Sequence, residues 1–220
     1  APPLGTKGTA HAMSFEQVLQ QHFAGALPSQ TFLGRVGSSL YRHGFMRPRA
    51  LAVVALCRDE VTAPFLREIQ LQWGQPFLLG GLAGMLAGGR TGVAAALAHA
   101  PRFDGRERVV CLAFTHIGIG PAGELGWCER PGRPEPSSAC GALVAAQRRF
   151  ADAPPGAEID PDDAEFALLL RRLAPTVSAG TDPGLLAMTR AAHDVIAADA
   201  AGLFEAAVDT ARTDYAVVTG

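Results

Sequence analysis

The sequence lacks a long apolar run and lacks a surplus of charge of either sign. No stretch of about 18 uninterrupted apolar residues occurs in the 220-residue chain, so no membrane-spanning helix is predicted. The 19 Lys and Arg residues and the 21 Asp and Glu residues are interspersed, with a formal net charge of −2. Without a basic patch, neither nucleic acid nor a membrane surface is an expected partner. Small neutral or weakly charged molecules remain as the expected ligands.

Cysteine is also scarce, since Cys57, Cys111, Cys128 and Cys140 are the whole complement. So few cysteines, so widely scattered, exclude a small secreted domain held together by disulfides. We therefore expect free thiols. Each thiol is either a small buried apolar residue or a metal ligand or nucleophile, and its position in the fold decides between these roles.

The amino-terminal stretch also lacks a recognisable signal. Residues 1–13 do not have the basic and then apolar layout of a signal peptide, and we interpret them as a flexible tail. We expect a soluble, cytoplasmic protein, with a leader already removed as the open alternative. With 48% apolar and 18% charged residues, the remaining chain, 14–220, is predicted to fold as a single domain.

Hydrophobic periodicity predicts an α/β fold. Apolar residues at helical spacing in 14–45 predict two opening helices, the second ending at Gly44. Continuous apolar runs at 49–57 and 106–120 predict buried strands. Two segments between them, 60–74 and the glycine-rich 78–100, are predicted to be helical. Strands that alternate with helices indicate a mostly parallel sheet flanked by helices.

The second half of the chain is predicted to be mainly helical. Prolines and glycines at 122–136 indicate a loop, and the sequence SSACG at 137–141 begins a helix. The stretches 160–174 and 182–212 are predicted helices, and 215–220 is a short strand.

Three potential metal ligands fall at one edge of this predicted sheet. Cys57 ends the first apolar run, His116 lies near the end of the second, and Cys140 lies in the first turn of a helix. Strand carboxyl ends and helix amino ends converge at the ligand-binding edge of a parallel sheet. Two thiolates and one imidazole form a zinc set with an open fourth position, and the helix dipole favours Cys140 as a thiolate. The spacings of 59 and 24 residues match no short zinc signature.

Four segments in order resemble one known family, the limiting CO2-inducible B proteins, whose members are similar to β-carbonic anhydrases. The resemblance rests on CRDE at 57–60, GGLAGM with RTGVAAALAHAP within 80–101, THIGIGPAGELG at 115–126 and RPGRPEPSSACGAL at 130–143. The VVTG at 217–220 resembles the beginning of the family's final strand.

The resemblance implies a β-carbonic anhydrase-like fold, a homodimer, and Zn2+ held by Cys57, His116 and Cys140. It implies a carbonic anhydrase, which hydrates CO2 reversibly to bicarbonate by zinc-bound hydroxide. Two thiolate ligands make the zinc centre nearly neutral, so activity is expected to improve on the alkaline side of neutrality. The GGLAGM segment, with Val61, Phe65 or Leu82, is interpreted as the CO2 pocket.

Asp59 matches the aspartate of the Cys-x-Asp-x-Arg motif of β-carbonic anhydrases, but the arginine of that motif is replaced by Val61. A carboxylate near zinc needs a guanidinium partner, because an unpaired carboxylate can fill the open metal position. We select Arg35 as this catalytic partner of Asp59, with Arg58 and Arg67 as alternatives.

Two other functions remain open from the sequence. The missing arginine favours a catalytically silent zinc scaffold, or a partner subunit that binds inorganic carbon. The position of Cys140 at a helix start favours a thiol hydrolase with Cys140 as the nucleophile. That hydrolase leaves Cys57 and Asp59 without a role.

Overall fold

The computed structural model describes residues 13–152, 160–177 and 182–220. Residues 1–12 of the predicted tail lie outside the described part. The elements in chain order are α1 (Phe15–His22), α2 (Ser29–Tyr41), β1 (Leu51–Ala55), α3 (Ala63–Trp73), β2 (Phe77–Leu78), α4 (Gly89–Ala98), β3 (Arg102–Phe103), β4 (Arg106–Ala113), β5 (Trp127–Cys128), β6 (Ser137–Ser138), α5 (Gly141–Asp152), α6 (Ala164–Leu173), α7 (Leu185–Ala207) and β7 (Thr213–Thr219).

The main sheet is parallel apart from one short strand. β1 pairs with β2 on one side and with β4 on the other, and β7 pairs with the far side of β4. β3 runs antiparallel to the beginning of β4. The register aligns Ala55 with Ala113, so β1 and β4 end at the same level. The predicted mostly parallel α/β sheet is confirmed.

The strands β1 and β4 are buried on both faces because helices cover both. On one face Val53 and Cys111 pack with α4, α5, α6 and α7. On the other face Val54 and Leu112 pack with α2 and α3. Alternate residues therefore face separate cores, which explains why these strands are continuous apolar runs rather than alternating ones. Full burial of each such side chain stabilises the fold by about 1.5–3 kcal/mol.

The opening helices follow the predicted signals. Ser14 caps α1, accepting a hydrogen bond from the backbone of Gln17 while the Gln17 side chain bonds back to Ser14. α2 ends at Tyr41, and Gly44 has a φ of 82°, in the left-handed region that glycine adopts readily. In the described part of the chain, no helix is long and apolar enough to cross a membrane.

The glycine-rich segment is not helical throughout, which corrects the prediction for 78–100. Only its second half forms α4, beginning at Gly89. The first half follows β2 and makes a short 3-10 turn, Leu82–Gly84, in which Ala83 and Gly84 have positive φ values of 55° and 87°. Glycine permits close backbone approach here, since a Cβ on Gly84 would overlap the carbonyl oxygen of Phe114.

The Gly84 position supports a stability prediction. We expect Gly84→Ala to lower the free energy of unfolding by about 2 kcal/mol or more, because a methyl group adds both an overlap and an unfavourable φ. Urea denaturation measures the change. Gly202→Ala on α7 is the matched control, since nothing lies within 4 Å of its added Cβ. There we expect no loss, and a gain of up to about 1 kcal/mol. Equal losses at both positions would contradict the interpretation.

Candidate metal centre

The three predicted ligands meet at the carboxyl edge of the sheet. Cys57 lies two residues beyond β1, His116 lies three residues beyond β4, and Cys140 directly precedes α5. Their ligand atoms all lie within 4.8 Å of one another. The loop that carries Cys57 is held by Thr62, whose hydroxyl donates to the carbonyl oxygens of Cys57 and Asp59. The structure therefore brings together residues that are up to 83 positions apart.

The donor set fits a tetrahedral metal ion. The Sγ atoms of Cys57 and Cys140 are 3.5 Å apart. Two thiolates on one tetrahedral zinc ion would be separated by about 3.8 Å, given Zn–S bonds of about 2.3 Å. The Nε2 atom of His116 is buried and has no hydrogen-bond partner among the described residues. A buried ring nitrogen without a partner is costly, and a metal ion on that atom would remove the cost.

The two thiols strongly influence each other. The pKa of Cys57 is lowered, mainly because its sulfur accepts a hydrogen bond from Cys140, while burial opposes the shift and His116 contributes to it. The pKa of Cys140 is raised by the same pairing and by burial, although backbone N–H groups of α5 act in the opposite direction. The start of α5 therefore lowers the pKa of Cys140, as predicted, but the pairing with Cys57 and burial raise it by more. A bound cation would favour the thiolate form of both sulfurs, because metal ligation requires deprotonated cysteine.

Asp59 is paired with an arginine that the sequence prediction did not select. Nη2 of Arg130 donates to Oδ1 of Asp59 at 2.8 Å and to Oδ2 at 3.1 Å. Both side chains are largely buried, with exposed fractions of 15% for Arg130 and 10% for Asp59. Oδ2 of Asp59 also lies 4.0 Å from Nε2 of His116, at the margin of the ligand cluster.

The choice of Arg35 as the partner of Asp59 is therefore corrected. Arg35 is exposed on α2, and the guanidinium that contacts Asp59 belongs to Arg130. Of the two alternatives, Arg58 pairs with Glu165 on α6, and Arg67 is exposed on α3.

Arg130 is held by a complete set of acceptors. Besides Asp59, its guanidinium donates to the carboxylate of Glu60, to the hydroxyl of Ser137 and to the carbonyl oxygen of Ser138. These contacts raise the pKa of Arg130, with Glu60 as the largest contributor and Asp59 next. The loop between β5 and β6 carries Arg130, and the antiparallel pairing of Trp127 with Ser138 turns that loop back towards Asp59. These contacts fix the permanently charged guanidinium of Arg130 beside Asp59.

The other cysteines and histidines lie away from this cluster. Cys111 is in the middle of β4, where burial raises its pKa to about 12, as expected of a core thiol. Cys128 lies in β5 and does not join the ligand group. The remaining described histidines are at or just beyond the ends of helices α1, α2 and α4 and within α7 (His22, His43, His99 and His193). His11 lies outside the described residues.

Two clefts reach the candidate metal centre. One, of about 630 Å³, has an apolar wall that includes Leu56, Leu66 and Leu79, together with Cys57. The other, of about 730 Å³, contains Cys57, Cys140, Arg130 and Leu82. Of the residues interpreted as the CO2 pocket, Gly80 and Leu82 line these clefts. Val61 does not line them, and Phe65 packs against Phe114 with ring centroids 5.1 Å apart.

Comparison with known proteins identifies the family. Residues 26–220 match the model of the limiting CO2-inducible proteins B/C beta carbonic anhydrases. The chain belongs to this family, which confirms the resemblance and the β-carbonic anhydrase-like fold. A search of curated proteins gave no match.

Two solved structures show the same fold. The crystal structure of PtLCIB4, a homolog of the limiting CO2-inducible protein LCIB, has a TM-score of 0.80 at 28% identity, with 92% of this chain and 85% of that chain covered. The crystal structure of LCIB has a TM-score of 0.73 at 34% identity, with 92% and 84% covered.

The ligand set supports a prediction on metal content. We expect Cys57→Ala and Cys140→Ala each to weaken metal binding by at least about tenfold, because each removes one of three ligands. Elemental analysis after zinc loading and dialysis measures the bound metal. Cys111→Ala and Cys128→Ala are the matched controls and should keep the wild-type content. Full occupancy in the Cys140→Ala protein would remove Cys140 from the centre.

Proposed function

We propose that the protein is a zinc-dependent carbonic anhydrase that hydrates CO2 reversibly to bicarbonate. The observation that carries this proposal is the Cys57–His116–Cys140 cluster, next to an Asp59 carboxylate that Arg130 holds in place. The family description, which names beta carbonic anhydrases, agrees with it.

Zinc is the metal that this donor set favours. Soft thiolates and an imidazole in a cluster of tetrahedral size are typical zinc ligands. Cys57, His116 and Cys140 would hold the ion, and three protein ligands leave a position for a non-protein ligand, as in catalytic sites. When bound, zinc supplies a nucleophile near neutral pH by lowering the pKa of coordinated water.

The role we assign to Asp59 follows from its pairing with Arg130. Both carboxylate oxygens accept hydrogen bonds from one guanidinium nitrogen, so the carboxylate is a weaker competitor for the open metal position. Oδ2 is the oxygen nearer to His116 and faces the ligand cluster. Asp59 is therefore placed to accept a hydrogen bond from the attacking group and to orient it. Arg130 keeps Asp59 in this position and retains its own charge because its pKa is raised.

The two clefts suit the substrate and the product differently. CO2 is apolar, and the cleft with Leu56, Leu66 and Leu79 offers it an apolar wall beside Cys57. Bicarbonate is an anion, and the second cleft also contains Arg133, which forms no ion pair among the described residues. We propose that CO2 approaches from the first cleft and that bicarbonate leaves through the second.

The thiol hydrolase is disfavoured by the position of Cys140. Its Sγ lies 3.5 Å from that of Cys57 within the ligand cluster, which suits a metal ligand, and a hydrolase would leave Cys57 and Asp59 without a role. The silent zinc scaffold was favoured by the absence of the motif arginine beside Asp59. Arg130 occupies that role, so this reason for the scaffold no longer applies.

Catalytic activity and metal content separate the proposed enzyme from the scaffold. We expect the zinc-loaded wild type to hydrate CO2 in a stopped-flow assay. Asp59→Ala removes the carboxylate that orients the attacking group, and Arg130→Ala removes the guanidinium that holds this carboxylate in place. Each variant should lower kcat by about a hundredfold or more and keep the metal. A zinc-loaded wild type without activity would identify the scaffold instead.

Arg35→Gln is the matched control for Arg130→Ala. Arg35 is exposed and away from Asp59, so its loss should leave kcat and metal content unchanged. An Arg35→Gln protein that loses activity to the same degree as Arg130→Ala would overturn the assigned role of Arg130.

We also propose that the protein is a homodimer. The exposed apolar side chains of Leu71 on α3, Leu78 on β2 and Tyr41 on α2 favour coverage by a second copy. Multi-angle light scattering at micromolar concentration should give twice the chain mass of 22.9 kDa. A monomer mass would contradict the proposal.

A further inference from the structure

A further cleft lies beside the β5–β6 ribbon and is not lined by Cys57, His116 or Cys140. It has a volume of about 880 Å³ and lies between this ribbon, α5 and the beginning of α7. We call it the arginine groove, after its three lining arginines, Arg133, Arg148 and Arg190. Ser137, Ser138 and Arg133 line both the groove and the metal-side cleft, so the ribbon is a shared wall.

The arginine groove has a surplus of positive charge. Among the described residues that line it, none is Asp or Glu. Within the described ranges, none of the three arginines forms an ion pair, in contrast to Arg130. The Asp182 carboxylate lies at the rim, where its Oδ1 accepts from Gln147 at 2.7 Å and from the backbone of Gly184 at 2.8 Å, and it offsets one of the three positive charges. Arg190 also donates a long hydrogen bond to the carbonyl oxygen of His22, at 3.5 Å. Several guanidinium groups that line one cleft attract an anion with several oxygen acceptors.

The remaining wall of the arginine groove is apolar and aromatic. Leu125, Val144, Leu185 and Leu186 line it, and the Trp127 side chain faces solvent with 45% of the residue exposed. An exposed indole beside guanidinium groups offers a flat surface for an aromatic or apolar ligand body. The groove volume is within the range of small-molecule sites, about 300–1,000 Å³.

We propose that the arginine groove binds a small organic phosphate. The phosphate group pairs with the guanidiniums of Arg133, Arg148 and Arg190, and the organic body packs against Trp127. A phosphate is preferred to a carboxylate because it carries nearly two negative charges and three acceptor oxygens, which three guanidiniums can satisfy. This site is additional to the proposed carbonic anhydrase reaction and does not depend on it.

Titration with phenyl phosphate tests the proposal in the whole chain. We expect saturable binding by isothermal titration calorimetry and a matching change in tryptophan fluorescence. The chain has two tryptophans, and Trp73 is 4% exposed, so the fluorescence change reports Trp127. In the Trp127→Phe protein the calorimetric signal should remain and the fluorescence change should disappear. Absence of binding at phenyl phosphate concentrations up to about 10 mM would overturn the proposal.

Three related probes separate the contributions of charge and body. Benzoate has the ring with a single charge, phenol has the ring without charge, and inorganic phosphate has the charge without the ring. We expect each to bind at least about tenfold more weakly than phenyl phosphate. Equal affinity for inorganic phosphate would overturn the assignment of an organic ligand, and equal affinity for phenol would overturn the role of the arginines.

Neighbouring arginines on α5 supply a matched control. Arg148→Gln combined with Arg190→Gln should weaken phenyl phosphate binding by about a hundredfold, or tenfold for each guanidinium. Arg149→Gln, one residue along the helix and outside the groove lining, should leave the affinity unchanged. Circular dichroism and metal content confirm that each variant is folded. Equal weakening by Arg149→Gln would indicate a diffuse charge effect and overturn the site.

Discussion

The parallel pairing of β1 with β4 is the interaction on which the rest of the structure depends. With Ala55 opposite Ala113, both strands end at one level, and Cys57 and His116 follow within two and three residues. A strand advances about 3.3 Å per residue, so a shift of one register position would move one ligand by about that distance. Such a shift would also turn every buried side chain of β1 towards the wrong face. The metal centre therefore depends on the same register as the two hydrophobic cores.

A second constraint comes from the β5–β6 ribbon. It carries Arg130 over the sheet edge, and the guanidinium fork then joins Asp59, Glu60, Ser137 and Ser138. These contacts are not equal in strength. The Glu60 side chain is 71% exposed, so solvent screens its ion pair with Arg130, whereas Asp59 is 10% exposed and keeps most of the attraction. The Asp59 contact is therefore the one that defines the position of the arginine.

Much of the fold and the meeting of two cysteines and a histidine at the sheet edge could be predicted, for identifiable reasons. β1 and β4 are continuous apolar runs, and Cys57, His116 and Cys140 stand just beyond strands or at a helix start. These are local signals. The two-residue strands β2, β5 and β6 are too short to show any periodicity. Arg130 lies 71 residues from Asp59, and its identity as the partner depends on the path of an irregular loop that no local pattern describes. The sequence offers one indication of this role: Arg130 stands shortly before the SSACG segment that contains the ligand Cys140.

The wide separation of the metal ligands also affects how the protein folds. Cys57, His116 and Cys140 come from three separate elements, and the neighbouring β4–β7 pairing joins Glu107 to Thr213. Contacts this distant in the chain carry a loop-closure cost and form slowly, so the centre exists only after most of the topology is assembled. An unfolded chain offers no comparable cluster. A metal ion bound to this cluster would select the native state over the unfolded ensemble, and its binding free energy would contribute directly to the conformational stability of the domain.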